Sequence, residues 1–249
     1  MQPRVILITG GASGIGRATA QLFAADGDRV AILDSNAEAG EATAGAIRQA
    51  GGQVLFVHAD IGSHSEVQEA VRKVVEAYSR IDILFANAAL QINAPLDQTA
   101  EEDWTRSLAV NLTGTFNCLK AVVKPMKAQG GGSIVVCSSG HAFNTYPGYA
   151  AYGTTKAGLL ALTRSAAIDL APYNIRVNCL IPGATETPLL RYHFDNAPED
   201  ERRLLAKIPL GRLASPEDIA RGVRLLCSAD AAYITGTWLA VDGGQLAHG

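Results

Sequence analysis

The 249-residue chain is 48% hydrophobic and carries a formal net charge of -3, which supplies ample apolar side chain for a core at a length common for one α/β domain. Its slightly acidic balance, with no run of Lys or Arg, leaves no electrostatic footprint for nucleic acid or an anionic membrane. No apolar stretch approaches the length of a membrane span, and the run Val5 to Ile8 in MQPRVILITGG is too short for a signal peptide; the chain reads as soluble and cytoplasmic.

Short apolar, β-branched runs alternate with longer segments of helical period. RVILIT is strand-like, and GIGRATAQLFAADG follows as a helix closed by Gly27. RVAILD, QVLFVHAD, IDILFANAA, SIVVCSS, IRVNCLIPG and TWLAVDGG continue the series of strands. These runs are apolar throughout rather than alternating, as expected where helices cover both faces of a parallel sheet. Helix starts are marked by Ser63 with Glu66, by Thr99 with Glu102, and by the pair Ser215-Pro216. Nothing resembling a linker or repeat divides the chain. The expected architecture is a Rossmann-like, doubly wound α/β fold: about seven parallel strands flanked by helices in one domain over residues 1–249. The segment 185–213, polar and charged in its middle, reads as an excursion from the sheet that forms a substrate lid.

Four cysteines, Cys118, Cys137, Cys179 and Cys227, stand far apart in apolar contexts, and neither a CxxC pair nor HExxH occurs. Free, buried thiols are expected, and no metal site is indicated.

TGGASGIG, Thr9 to Gly16, lies between the first strand and the first helix, where glycines let the backbone approach a pyrophosphate at a helix N-terminus. Its spacing, Gly10, Gly14, Gly16, is not G-x-G-x-x-G, so a tight structural turn is the rival reading. Asp34 ends the second strand, 18 residues beyond Gly16, where a carboxylate accepts hydrogen bonds from an adenosine ribose and repels a 2′-phosphate. Neither Ser13 nor Ser35 supplies a compensating charge, and Arg17 lies one residue past the loop. NAD(H) is therefore expected over NADP(H).

In SSGHAFNTYPGYAAYGTTK, Tyr152 and Lys156 are four residues apart, and Ser139 precedes Tyr152 by thirteen. On a helix beginning near Tyr149 or Tyr152, phenol and ammonium share one face. A phenol titrates at about 10 in water. An ammonium about 5 Å away favours its ionised form by about 3 kcal/mol at an effective dielectric of about 20. Tyr152 thereby becomes a candidate proton carrier, although an ordinary surface pair has the same spacing.

Taken together, these motifs resemble the short-chain dehydrogenase/reductase family from about Arg4 to Gly244. TGGASGIG is similar to its cofactor loop, ANAA to its Asn-Ala-Gly motif, and VNLTGTF to the segment with its helix asparagine. SSG followed by YGTTK is similar to its serine and Tyr-x-x-x-Lys elements, IPGATET to its Pro-Gly and threonine loop, and LAVDGG to its last strand. Ala89 departs from the usual glycine. The resemblance implies a catalytic set of Asn111, Ser139, Tyr152 and Lys156. It implies a nicotinamide cofactor held by Gly10, Ser13, Gly14, Ile15, Gly16 and Asp34, with Asp60 and Ile61 of HADI toward the adenine and Asn87 between cofactor and sheet. Tyr152, Lys156, Pro182, Gly183, Thr185 and Thr187 would lie toward the nicotinamide. Ser139 rather than Ser138 has the family's spacing, and adjacent residues of an extended chain point to opposite sides.

The implied reaction is hydride transfer between a secondary alcohol or its ketone and NAD. Tyr152 would act as general acid and base, Lys156 as its electrostatic partner, and Ser139 would orient the substrate oxygen, while Asn111 would hold a water linking Lys156 to solvent. The stretches after Ser139 and after the Pro-Gly loop offer His141, Asn144, Tyr146, Arg191 and His193 as substrate contacts, together with Phe143, Leu189, Leu190, Tyr192 and Phe194. The resemblance further implies a homotetramer acting on a small molecule. An NADPH-dependent carbonyl or 3-oxoacyl reductase is the alternative, and a catalytically retired NAD-binding sensor is another.

Overall fold

The five inner strands of the sheet bury both of their faces, which is why their sequences are mostly apolar, while the two edge strands are only partly buried. In β1 (Val5–Thr9) every residue is buried: Val5 and Leu7 pack into one apolar cluster, Ile6 and Ile8 into another on the opposite face. The computed structural model describes residues 3–187, 190, 194–195 and 198–247.

Seven parallel strands form one sheet in the order β3-β2-β1-β4-β5-β6-β7. The others are β2 (Arg29–Asp34), β3 (Gln53–His58), β4 (Ile83–Ala86), β5 (Gly132–Cys137), β6 (Ile175–Pro182) and β7 (Trp238–Val241). Helices α1 (Gly14–Ala25) and α2 (Ala37–Gln49) follow β1 and β2, and α3 (His64–Tyr78) follows β3. Between β4 and β5 come α4 (Glu101–Ser107), a π-helical stretch Leu108–Gly114, and α5 (Thr115–Ala128). The 21-residue α6 (Ala150–Leu170) precedes β6, and α7 (Pro198–Leu205) and α8 (Pro216–Leu226) lie between β6 and β7. Val67, Val71, Val122 and Leu159 cover one face of the sheet. Phe23, Ile219 and Val223 cover the other.

The order of strands reverses between β1 and β4. In doubly wound sheets the crevice at the carboxyl ends beside such a switch is where ligands bind. Asn87, Ser138 and Gly183 follow directly on strands that end there, and Ser139 comes one residue later.

Two helix starts differ from expectation. Thr99 does not cap α4, because its hydroxyl donates to the carbonyls of Ala94 and Pro95 and secures the preceding turn, leaving Ala100 at the N-cap. Ser63 accepts the Glu66 N–H, but the Glu66 carboxylate accepts from Asp60 N rather than from Ser63 N, so half of the capping box forms. Ser215 caps α8 as expected, and Asp218 completes a box there. All four thiols are buried and free. Burial raises Cys118, Cys179 and Cys227 to about 12, so these sulfurs stay protonated and inert.

Candidate active site

Thr9, the last residue of β1, accepts the N–H groups of Asn87 and Ala88 through its hydroxyl. The Asn87 amide in turn donates to the carbonyls of Thr9 and Gly10, both at 3.1 Å. This clasp fixes the glycine loop to the end of β4. Gly16 is required by close approach, since a Cβ there would stand 2.0 Å from the Gly10 carbonyl oxygen. Gly14 differs: with φ +51°, it faces space in which a Cβ would meet nothing within 4 Å. Ser13 stands at the N-cap of α1 without capping it through its side chain, which leaves first-turn N–H groups for an anion. The open space, the uncapped amides and the close-packed glycines together fit a pyrophosphate.

The Asp34 carboxylate accepts the N–H of Ala12 and of Asn36, each at 3.0 Å, and is thereby held against the glycine loop. Asp60 accepts the Gly62 N–H and remains exposed. Ile61 turns inward: its side chain is buried and packs where a Cβ on Gly114 would stand. Any contact that it makes with a ligand comes from its backbone.

Beyond the loop a cavity of about 1130 Å³ runs from Ile15 and Asn87, past Ser139, Tyr152 and Lys156, to Leu246. Tyr149 forms the N-cap of α6, so Tyr152 and Lys156 occupy its first two turns on one face. The Lys156 Nζ lies 5.4 Å from the Tyr152 ring centre and donates to the Cys137 carbonyl at 2.8 Å. Two hydroxyls set the backbone of this turn. Ser138 donates to the Lys156 carbonyl and Thr155 to the Tyr152 carbonyl, both at 2.7 Å. Both serines border the cavity, but their hydroxyls diverge: that of the buried Ser138 is taken by α6, while that of Ser139 accepts the His141 N–H at 3.2 Å.

Asn111 sits in the middle of the π-helical stretch and is wholly buried. Its carbonyl oxygen accepts the Leu90 N–H at 2.7 Å, and its amide donates to Leu90 O at 2.8 Å and Thr155 Oγ1 at 3.2 Å. Both amide hydrogens are therefore spent on protein partners. A π-bulge at such a position is a frequent mark of a functional site.

On the substrate side, His141 stacks on Tyr149 with centroids 4.2 Å apart and meets the edges of Tyr146 and Tyr152 at 5.5 and 5.7 Å. This half-buried ring packing lowers the imidazole pKa from 6.5. Asn144, Tyr146, Pro182, Gly183, Thr185, Thr187 and Leu190 also line the cavity. Phe143 turns away onto Trp238, 5.0 Å between centroids, and Phe194 is buried. Arg191 and His193, with Leu189 and Tyr192, lie outside the described residues. The Ala89 methyl borders the cavity and is exposed. Tyr149, Thr155, Lys207 and the tail residues Gln245 and Leu246 were not singled out by their motifs. Gln245 accepts the Ala184 N–H, and Asp242 accepts the N–H groups of Gly244 and Leu246, which seat the tail on the cavity wall.

A family model described as enoyl-(acyl carrier protein) reductase matches residues 10–245. The chain is 36% identical to cyclopentanol dehydrogenase of Comamonas testosteroni over 245 residues, covering 98% of each protein. It is 39% identical to a 3-oxoacyl-[acyl-carrier-protein] reductase of Thermotoga maritima, again over 245 residues and 98% of each. A solved structure of NAD+-bound xylitol dehydrogenase superposes with a TM-score of 0.92 at 35% identity, over 97% of this chain and 98% of that one. On motifs, fold and end-to-end relatives alike, the chain belongs to the short-chain dehydrogenase/reductase family.

Proposed function

We propose that the protein is an NAD-dependent dehydrogenase that interconverts a secondary alcohol and its ketone, with Tyr152 as general acid and base. The observation that carries this reading is the joint placement of Tyr152, Lys156 and Ser139 on one cavity wall that continues to the glycine loop. When bound, the nicotinamide would supply or accept the hydride.

The remaining work falls to this chain. Tyr152 takes the alcohol proton in oxidation and returns it in reduction. Lys156, whose Nζ makes one hydrogen bond among the described residues, would favour the phenolate and keep two N–H donors for groups in the cavity. The Ser139 hydroxyl is held by the His141 N–H as an acceptor and so keeps its own hydrogen for the substrate oxygen. Thr155 joins Asn111 to the Tyr152 carbonyl, which makes Asn111 a positioning residue whose side-chain amide has no hydrogen left for a water. Gly10, Ser13, Gly14, Ile15, Gly16 and Asn87 would hold the pyrophosphate end. Asp34 and the Asp60–Ile61 turn would hold the adenosine, and Pro182, Gly183, Thr185 and Thr187 the nicotinamide end. The segment 185–213 would close over substrate, and the active form would be a tetramer, checked by its mass in solution.

Asp34 supports NAD over NADP because its carboxylate abuts the glycine loop with no cation paired to it among the described residues. The 3-oxoacyl reductase relative keeps an NADPH-dependent ketone reductase as the second reading. A panel of cyclic alcohols, polyols, hydroxy acids and 3-hydroxyacyl thioesters, assayed with NAD+ and NADP+ by nicotinamide absorbance, separates the two. NADH formation that disappears in Tyr152→Phe is the expected result. Turnover with NADP+ alone would favour the second reading, and full activity of Tyr152→Phe would defeat both.

A further inference from the structure

The cavity that holds Tyr152 has a second polar region that proton and hydride transfer do not use. Gln91, Asn93 and Asn144 line it together with Tyr146 and Lys207. The Ala94 N–H donates to the Gly148 carbonyl at 3.0 Å, tying the loop of Gln91 and Asn93 to the loop of Asn144 and Tyr146. Just past α7, Lys207 holds its ammonium 4.7 Å from the Tyr146 ring centre and 3.4 Å from the phenol oxygen. His141 stands between Tyr146 and Tyr152, so this region and the reacting end occupy different parts of one cavity.

All five of these side chains are exposed to solvent, so they gain partners from a ligand only when it fills the cavity and displaces the water. Lys207 forms no ion pair among the described residues, and the three carboxamide side chains have no hydrogen-bond partner among them. Asp242 is the only carboxylate lining the cavity among the described residues, and both of its oxygens already accept backbone N–H groups. A lysine ammonium only donates, and each carboxamide brings two further N–H donors. A polyol would satisfy the carboxamides but would leave the cation uncompensated. An ammonium set over a ring, in a cavity that sheds water when filled, gains most from an anion, through charge-assisted hydrogen bonds.

We infer that Lys207, with Gln91, Asn93 and Asn144, binds an anionic group, a carboxylate or a phosphate, on the end of the substrate away from its reacting carbon. The inference rests on the hydride-transfer reading for the reacting end only. The substrate class is then a ketone or secondary alcohol with a remote anion. Neutral cyclic alcohols and uncharged polyols would be poorer substrates.

The test uses matched pairs with the full-length protein and NADH: pentan-2-one against 4-oxopentanoate, and hydroxyacetone against dihydroxyacetone phosphate. At least one anionic member should show a KM tenfold or more below that of its neutral partner. Lys207→Met should remove most of that preference while leaving kcat/KM on the neutral ketones within twofold. The carboxylate and phosphate arms identify which anion is taken. Equal use of neutral and anionic members, or a preference that survives Lys207→Met, overturns the inference. If no compound is turned over, calorimetric titration of the same four into the NADH complex decides. Anion binding lost in Lys207→Met upholds this subsite while the hydride reading fails; equal or absent binding of the four overturns it.

Discussion

The ammonium of Lys156 lies 5.4 Å from the centre of the Tyr152 ring, and its hydrogen bond to protein goes to the Cys137 carbonyl at the end of β5. The residue is only 2% exposed and has no carboxylate partner among the described residues. A buried cation without a counter-ion is costly, so its position has to be maintained by what surrounds it. Ser138 supplies part of that support by binding the Lys156 carbonyl.

Replacing Lys156 by Met keeps the stem and removes the charge. The Cys137 carbonyl loses its donor, and the Tyr152 ring loses the cation beside it. We expect kcat to fall by about 100-fold or more, in the range of a lost acid–base function, and NADH affinity to fall as well. Fluorescence titration of NADH beside steady-state kinetics checks both. A loss of rate with unchanged NADH affinity would remove the lysine from the cofactor.

Every polar side-chain atom of Asn111 is hydrogen-bonded to protein. Its side chain bonds Leu90 twice and Thr155 once, all within protein. Asn111→Leu would keep the volume and orphan both the N–H and the carbonyl of Leu90. At about 1–3 kcal/mol per unsatisfied buried group, the two groups together cost roughly 2–6 kcal/mol. For a chain of this size, at about 2–4 °C per kcal/mol, that lowers Tm by about 4–24 °C. Because Thr155 passes the contact to the Tyr152 carbonyl, kcat should fall more than tenfold in the folded fraction, with KM little changed. Calorimetry gives the first number; rates measured well below Tm give the second. A stability loss with an unaltered kcat would make Asn111 merely structural.

These contrasts show which parts of the site the residues announce by themselves. Gly10, Gly14 and Gly16 were legible because close approach and positive φ exclude other residues. The pairing of Tyr152 with Lys156 was legible because helical period alone aligns them, and the buried strands because both faces are covered. Thr99 misled because local spacing cannot reveal that the carbonyls of Ala94 and Pro95 compete for its hydroxyl. Lys207, Gln245 and Leu246 carry no local signal at all, since only the return of the chain after α7 and β7 brings them to a cavity built from β4 and β5. The divergence of Ser138 and Ser139 was legible from extended geometry, whereas the bond from Ser138 to Lys156 was not.

Asp34 makes the choice of cofactor testable. Its carboxylate is fixed by two backbone N–H groups at the edge of the glycine loop, so a 2′-phosphate placed there would meet a fixed negative charge. Asp34→Asn retains one acceptor and removes that charge. Affinity for NADP+ should rise about tenfold or more, equivalent to roughly 1.4 kcal/mol, while affinity for NAD+ falls. Paired titrations of wild type and variant measure the ratio, and an unchanged NADP+ affinity would show that discrimination lies elsewhere.

His141 predicts how stability responds to acid. Its ring is stacked on Tyr149, borders Tyr146 and Tyr152, and holds Nδ1 3.3 Å from the Thr145 hydroxyl. Desolvation there lowers its pKa from 6.5, so the folded protein favours the neutral imidazole. Below pH 6.5 the unfolded chain takes up a proton that the folded chain resists, and stability must fall as pH drops. The contribution of this residue is complete above that value and is lost progressively as pH falls toward the folded pKa. His141→Phe keeps an aromatic ring for Tyr149 and removes the titration. Urea unfolding at several pH values between about 5 and 7.5 should therefore give a shallower acid slope for the variant than for wild type. Parallel slopes would mean that protonation of His141 is accommodated within the folded ring cluster, for instance by donation to Thr145, and that other groups set the acid limit of the fold.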